Sequence, residues 1–236
     1  NYIKTNLLAS RLFFPGKGKV VSHGPRFVST YYFTPALKET DHENLLLYLV
    51  NFRNQSVFDV WAGEVFIELQ QPFDPTNSGK DTLARGSRHS WKAVGVEFFS
   101  KPQSRFTYSF STRFGGYYAD GSRSNINVDL GYRFQPFVNI AVSTNYNYID
   151  LPKPWKHTSF WLVGPRVDIT MTNKIFFTTF LQYNNQQKNM NVNTRFQWRY
   201  RPASDLFIVY TDNYYPSPFA VRNRAIVLKF TYWWNL

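Results

Sequence analysis

The chain has no cysteine, so neither a disulfide framework nor thiolate chemistry is open to it. Acidic residues are scarce: 15 Asp and Glu stand against 27 Lys and Arg, leaving a net charge of +12. Methionine occurs twice and histidine four times. No window approaches 18 uncharged apolar residues, which excludes a transmembrane helix. No stretch holds the 3.6-residue period long enough to predict a helix. None of this excludes membrane strands, which need only about 9–11 alternating residues and escape hydropathy averaging. The opening NYIKTNLLAS carries no leader pattern and no initiator methionine, and reads as the start of a mature or partial chain.

What is abundant is aromatic. Phe, Tyr and Trp make up 19% of the chain, and all three favour strands. Alternating segments occupy residues 2–14, 26–34, 45–52, 57–69, 91–99, 105–118, 125–134, 138–149, 160–170, 175–183, 190–201, 206–212 and 225–236. Residues 35–44 read as a charged loop, and residues 70–90 as a long exposed loop rich in Pro, Gly, Asp and Ser. Most other breaks are short enough for hairpins. The order is an antiparallel meander.

NTRFQWRYRP, residues 193–202, shows the pattern at its strongest. Phe196, Trp198 and Tyr200 alternate with Arg195, Arg199 and Arg201. In RFTYSFSTRF, Phe106, Tyr108 and Phe110 alternate with Arg105 and Arg113, and Arg133 falls on the polar phase of NINVDLGYRF. The polar phases carry Asn, Ser, Thr, Gln and Arg, with little Lys or Glu. A solvated sheet face takes more Lys and Glu, whereas a wet lumen takes this mixed set. A meander this wide also leaves edges to protect unless it closes. The expected fold is therefore all-β: an antiparallel meander over residues 1–236, closed as a transmembrane barrel. An even count of about 14 strands is expected. The six arginines would face the lumen and the aromatics would face lipid. A sandwich and a soluble closed barrel are the competing folds.

The C-terminal stretches NVNTRFQWRYRPASDLFIVYTDNYY and FAVRNRAIVLKFTYWWNL resemble the end of Bacteroidetes envelope proteins of the DUF5916 family. The resemblance covers residues 190–236. It implies an outer-membrane barrel forming the C-terminal part of a larger protein. Upstream it implies a signal peptide and a domain similar to family 9 carbohydrate-binding modules, neither of which this sequence shows. It carries over no catalytic residue. Phe230, Tyr232 and Trp234 alternate in the final strand as such barrels require, although the last residue is Leu236 rather than Phe.

The expected function is thus an outer-membrane anchor or transport-like component, multi-pass in the cell outer membrane. The alternative is a passive or anion-biased porin. Expected partners are outer-membrane lipid and lipopolysaccharide, and a periplasmic carbohydrate-binding domain or subunits of an outer-membrane complex. Nucleic acid is not expected, because no basic–aromatic module can be named. Neither catalysis nor a cofactor is expected. His23, His42, His89 and His157 lie in or beside loops without metal spacing. Ser90 beside His89 is adjacency, not a triad. Glu64 and Glu68 share a phase that Asp59 does not, and a glycosidase pair is the less favoured reading of them. GKGK and FGGYY lack phosphate-loop spacing and read as a turn and a close-packing point.

Overall fold

Alternation of aromatic and polar residues sets up extended chain, and Pro, Gly, Asn and Asp at the breaks set the hairpins. The computed structural model describes residues 1–79 and 81–234. The strands are β1 (Ile3–Ser10), β2 (Val20–Phe33), β3 (Glu39–Phe52), β4 (Val57–Glu68), β5 (Arg88–Phe99), β6 (Phe106–Gly116), β7 (Ser122–Phe134), β8 (Val138–Asp150), β9 (His157–Thr170), β10 (Ile175–Asn184), β11 (Asn189–Arg201), β12 (Ser204–Pro216) and β13 (Phe219–Phe230). One short 3-10 turn, Tyr118–Asp120, lies between β6 and β7. The thirteen strands form one antiparallel sheet in chain order. No helix among the described residues is long and apolar enough to cross a membrane, which says nothing about strands.

The expected closure does not occur. Among the described residues β1 pairs only with β2 and β13 only with β12, so the sheet is open, with thirteen strands rather than fourteen. Both edge strands are exposed along their whole length. A barrel requires its first and last strands to exchange backbone hydrogen bonds, and here each has a bare edge. The anchor or transport-like role, the porin alternative and the multi-pass outer-membrane location all depended on a closed wall, and all are withdrawn with it. Lys4 on β1 and Arg222, Arg224 and Lys229 on β13 put charge on the bare edges, a usual guard against edge-to-edge pairing. The last strand ends at Phe230 rather than continuing to residue 236, and the expectation for Leu236 lies outside the described residues.

Several segments read as loops are strand. β3 starts at Glu39, inside the charged segment, because Glu39, Asp41, His42 and Glu43 find register partners on β2. β12 and β13 run on to Pro216 and Phe219 across the stretch read as a loop, with a bulge beside Tyr214. The connection from β4 to β5 is folded rather than loose. Phe73 and Leu83 form a two-way backbone bridge, and the Asp74 carboxylate accepts the backbone N–H groups of Thr76, Ser78 and Gly79 at 2.7–2.9 Å.

The chain divides into two compact units. Unit 1 comprises residues 1–102, 109–127 and 146–159, and unit 2 comprises residues 103–108, 128–145 and 160–236. The buried apolar side chains Leu69, Leu83, Ala93, Ile149 and Leu151 all belong to unit 1. In unit 2 the buried side chains are polar, namely Ser204 and Asp212. Glycine makes two close approaches possible in unit 1. A Cβ on Gly24 would lie 2.0 Å from the Arg11 carbonyl oxygen, and one on Gly115 would lie 2.4 Å from that of Lys92. Both have positive φ, which only glycine adopts without strain.

Candidate functional site

β11 shows how the two sides of the sheet are built. Phe196 stands opposite Phe177 and Ile208, and Trp198 opposite Ile175 and Leu206. Arg195 stands opposite Thr178 and Val209, on the other side. Arg199 opposes Asp205, with Nε 3.5 Å from its carboxylate, and lies over the Phe176 ring at 5.6 Å. A bulge between Arg199 and Arg201 then breaks the alternation. It sets Arg201 opposite Ser204, on the side of Leu206, where its guanidinium donates to the Tyr232 hydroxyl at 3.1 Å. Bulges re-aim side chains in this way. Arg201 therefore leaves the file of Arg195 and Arg199. Because the sheet is open, there is no lumen for any of the six arginines to line.

The apolar side of unit 2 is uncovered. Phe106, Tyr108, Tyr132, Phe134, Trp198 and Phe230 are all exposed, Phe106 at 48% and Phe230 at 65%. Their rings pack against one another along the face: Phe106 with Tyr108 at 5.6 Å, Tyr132 with Phe134 at 4.6 Å, and Tyr200 with Phe230 at 5.5 Å. Tyr232 and Trp234 meet edge-on at 6.0 Å where β13 ends. Phe110 and Phe114 in unit 1 are likewise exposed, as are Leu46, Tyr48, Val60 and Val94 beside them in a shallow apolar cavity of about 310 Å³. The opposite side is hydrogen-bonded and includes the exposed Arg195 and Arg199. In unit 2, Asn193 donates to Thr211 at 2.9 Å and Asn191 to Asn213 at 2.6 Å.

In unit 1, polar side chains form a continuous network. Arg123 donates twice to the Asn147 amide oxygen, at 2.8 and 3.1 Å, and Asn125 donates to the same atom at 3.1 Å. Asn127 links Asn125 to Ser111. Arg113 donates to the Gly116 carbonyl at 2.8 Å, and both Arg113 and Arg123 lie over the Tyr117 ring. Burial, and then the neighbouring Arg123 guanidinium, draw Arg113 below the usual arginine value. Burial pushes the Tyr117 hydroxyl up. Trp91, Tyr118 and Phe73 stack beside this network, which docks the β4–β5 connection onto the 3-10 turn. Of the other two arginines, Arg105 is exposed and receives the Arg133 backbone N–H on its carbonyl.

The carboxylates separate by register. Glu64 opposes Lys92 and Glu68 opposes Arg88, both favourable cross-strand pairs. Glu68 also pairs with Lys38. Asp59 opposes Glu97 instead and is 8% exposed. Burial first, and then the Glu97 charge, raise its pKa. Asp212 is 0% exposed, and its Oδ2 accepts Tyr210 at 2.5 Å, Tyr214 at 2.6 Å and Arg224 at 2.7–2.8 Å. Burial would raise its pKa, but the two hydroxyls and the guanidinium outweigh burial and hold it below the ordinary carboxylate range.

All four histidines lie within strands, His89 and His157 at strand starts beside loops. His23 bonds the Tyr48 hydroxyl at 2.7 Å and His42 bonds Glu39 at 2.5 Å. His89 meets Ser87 rather than Ser90, because adjacent strand residues point to opposite sides. Among the described residues no group of three or more His, Cys, Asp or Glu is placed to hold a metal ion. No family model, no curated protein and no solved structure matches the chain. The resemblance to DUF5916 proteins is therefore withdrawn: no family model carries it, and the sheet lacks the closed barrel it implied.

Proposed function

We propose that this protein is a binding sheet rather than a catalyst, with its apolar face covered by the acyl chains of lipid and its polar face left in water. One observation carries the reading. Among the described residues of unit 2 no aromatic or aliphatic side chain is buried and several are exposed, while the two buried side chains, Ser204 and Asp212, are polar. A sheet built for water alone does the reverse. Each large apolar side chain gains about 1.5–3 kcal/mol on full removal from water, so a face of this kind favours a cover strongly. Lipid suits it better than a second protein surface. The exposed face has Trp198, Tyr200, Tyr232 and Trp234 towards the end of the strands, next to Arg201. Aromatic rings with a polar tip, followed by cations, match the order of an acyl-to-headgroup boundary.

Single-tryptophan variants test this. Trp198 lies on the apolar side, whereas Trp61 lies on the side of Asp59. In phosphatidylcholine vesicles with brominated acyl chains, the variant retaining only Trp198 is expected to be quenched and the variant retaining only Trp61 to be spared. Equal quenching of the two, or failure of the full chain to sediment with vesicles, would reject the reading. A detergent-free dimer that shields Trp198 would point to a second copy as the cover instead.

A further inference from the structure

We infer that unit 2 holds a seat for the phosphate of an anionic phospholipid, formed by Lys174 and Arg201 at the end of the sheet where the β9–β10 and β11–β12 turns lie. A cavity of about 630 Å³ opens there, and its lining includes Asn173, Lys174, Arg199, Tyr200, Arg201 and Asp205. The backbone brings the two turns together, because the Arg199 N–H donates to the Lys174 carbonyl at 2.8 Å. Three cations and one carboxylate line the cavity. Asp205 is already engaged, accepting Gln197 at 2.9 Å and facing Arg199 at 3.5 Å. Lys174 and Arg201 have no carboxylate partner among the described residues. The described lining therefore holds more cations than carboxylates around a space of ligand size.

The geometry around the arginines favours an oxyanion. Phe176 lies against the Arg199 guanidinium and Tyr232 against that of Arg201, at 5.6 and 5.9 Å from their ring centroids. Ring contacts hold a guanidinium by its face and leave its N–H edge for an acceptor, and a phosphate accepts such an edge with two oxygens. The bulge matters here. Without it Arg201 would stay on the side of Arg199, and with it Arg201 stands beside Tyr232, on the apolar side. Arg201 thus borders the aromatic end of the face assigned above to acyl chains. A ligand bearing an anionic phosphate on an acyl body meets both. This identification rests on that acyl-facing reading, although the cation cluster itself does not.

The test uses the full chain in neutral detergent micelles, titrated with phosphatidylglycerol, with phosphatidylcholine, and with water-soluble glycerophosphate. Wild type is expected to prefer phosphatidylglycerol. Lys174→Gln with Arg201→Gln is expected to weaken that binding roughly 25-fold, at about a factor of five per cation near a lipid surface. The charge-matched control, Lys188→Gln with Arg222→Gln, changes exposed residues of the same unit outside the cluster and is expected to keep the preference. Unchanged thermal unfolding of both doubles shows that each is folded. Equal loss in the control would overturn the seat in favour of diffuse charge. Binding of glycerophosphate as tight as that of the lipid would overturn the lipid source. No preference in wild type would overturn the seat whatever the brominated chains report. Phosphatidylglycerol preference without quenching of Trp198 would retain the seat and reject the acyl-covered face.

Discussion

Asp59 in unit 1 and Asp212 in unit 2 are the same residue type, both almost wholly removed from solvent, and their pKa values move in opposite directions. Asp59 has a second carboxylate, Glu97, as its register partner. Asp212 has Arg224 as its partner, with tyrosine hydroxyls two residues away on either side. Burial penalises both charges. What separates them is whether the facing strand supplies donors or a second acceptor. Buried carboxylate is therefore not one kind of site in this sheet: unit 2 fixes its charge in place, and unit 1 holds one under tension.

The pair can be broken from either side, and the largest effect is expected at Asp212. Asp212→Ala leaves Arg224, Tyr210 and Tyr214 without their shared acceptor, and should give the greatest fall in melting temperature among single substitutions in unit 2. Tyr210, whose hydroxyl is pushed up to about 12 mainly by its bond to Asp212, should titrate nearer its ordinary value in that variant, as read by ultraviolet absorbance. Stability measured against pH should then show opposite slopes. Asp212 has a depressed pKa, so its contribution is present above the unfolded value and is lost as pH falls through the folded one. Asp59 has a raised pKa, so its ionisation costs stability, and that cost disappears as pH falls through the folded value. Asp59→Asn should accordingly stabilise the protein at neutral pH, with the gain vanishing in acid. Loss of stability on this substitution would show that Asp59 has a partner that matters. Glu97→Gln should give a smaller gain of the same sign, because it removes the second cause of the shift and leaves burial intact. The smallest global effect is expected for Asp74→Asn. It weakens an acceptor of several backbone N–H groups in the β4–β5 connection, by about 1 kcal/mol, and should speed hydrogen exchange over residues 70–87 while leaving the strands unchanged.

The strands were legible because alternation is local. The thirteen segments correspond in order to β1–β13 among the described residues, and the short turns at 100–104 and 171–174 separate strands as expected, whereas β12 starts at Ser204, inside the turn expected at 202–205. Boundaries slipped where charge masked pairing. Glu39 and Asp41 look like loop until β2 is seen beside them. The folded connection with Phe73 on Tyr118 was hidden for a similar reason, since Pro, Gly and Ser announce a break and not what the break packs against. Asp59 was seen to be out of phase with Glu64 and Glu68, but its opposition to Glu97 depends on the register of two strands whose contact spans nearly forty residues of chain.

Sequence alone determined that this is an antiparallel all-β chain and that its strands have one aromatic and one polar phase, because side-chain direction along a strand has a period of two whatever surrounds it. Only the tertiary structure decided whether β1 would meet β13, which carboxylate would face which, and where a bulge would turn Arg201 from one side to the other. Those outcomes depend on hydrogen bonds and charges between residues distant in sequence. The alternation of NTRFQWRYRP is compatible with a closed wall and an open one alike.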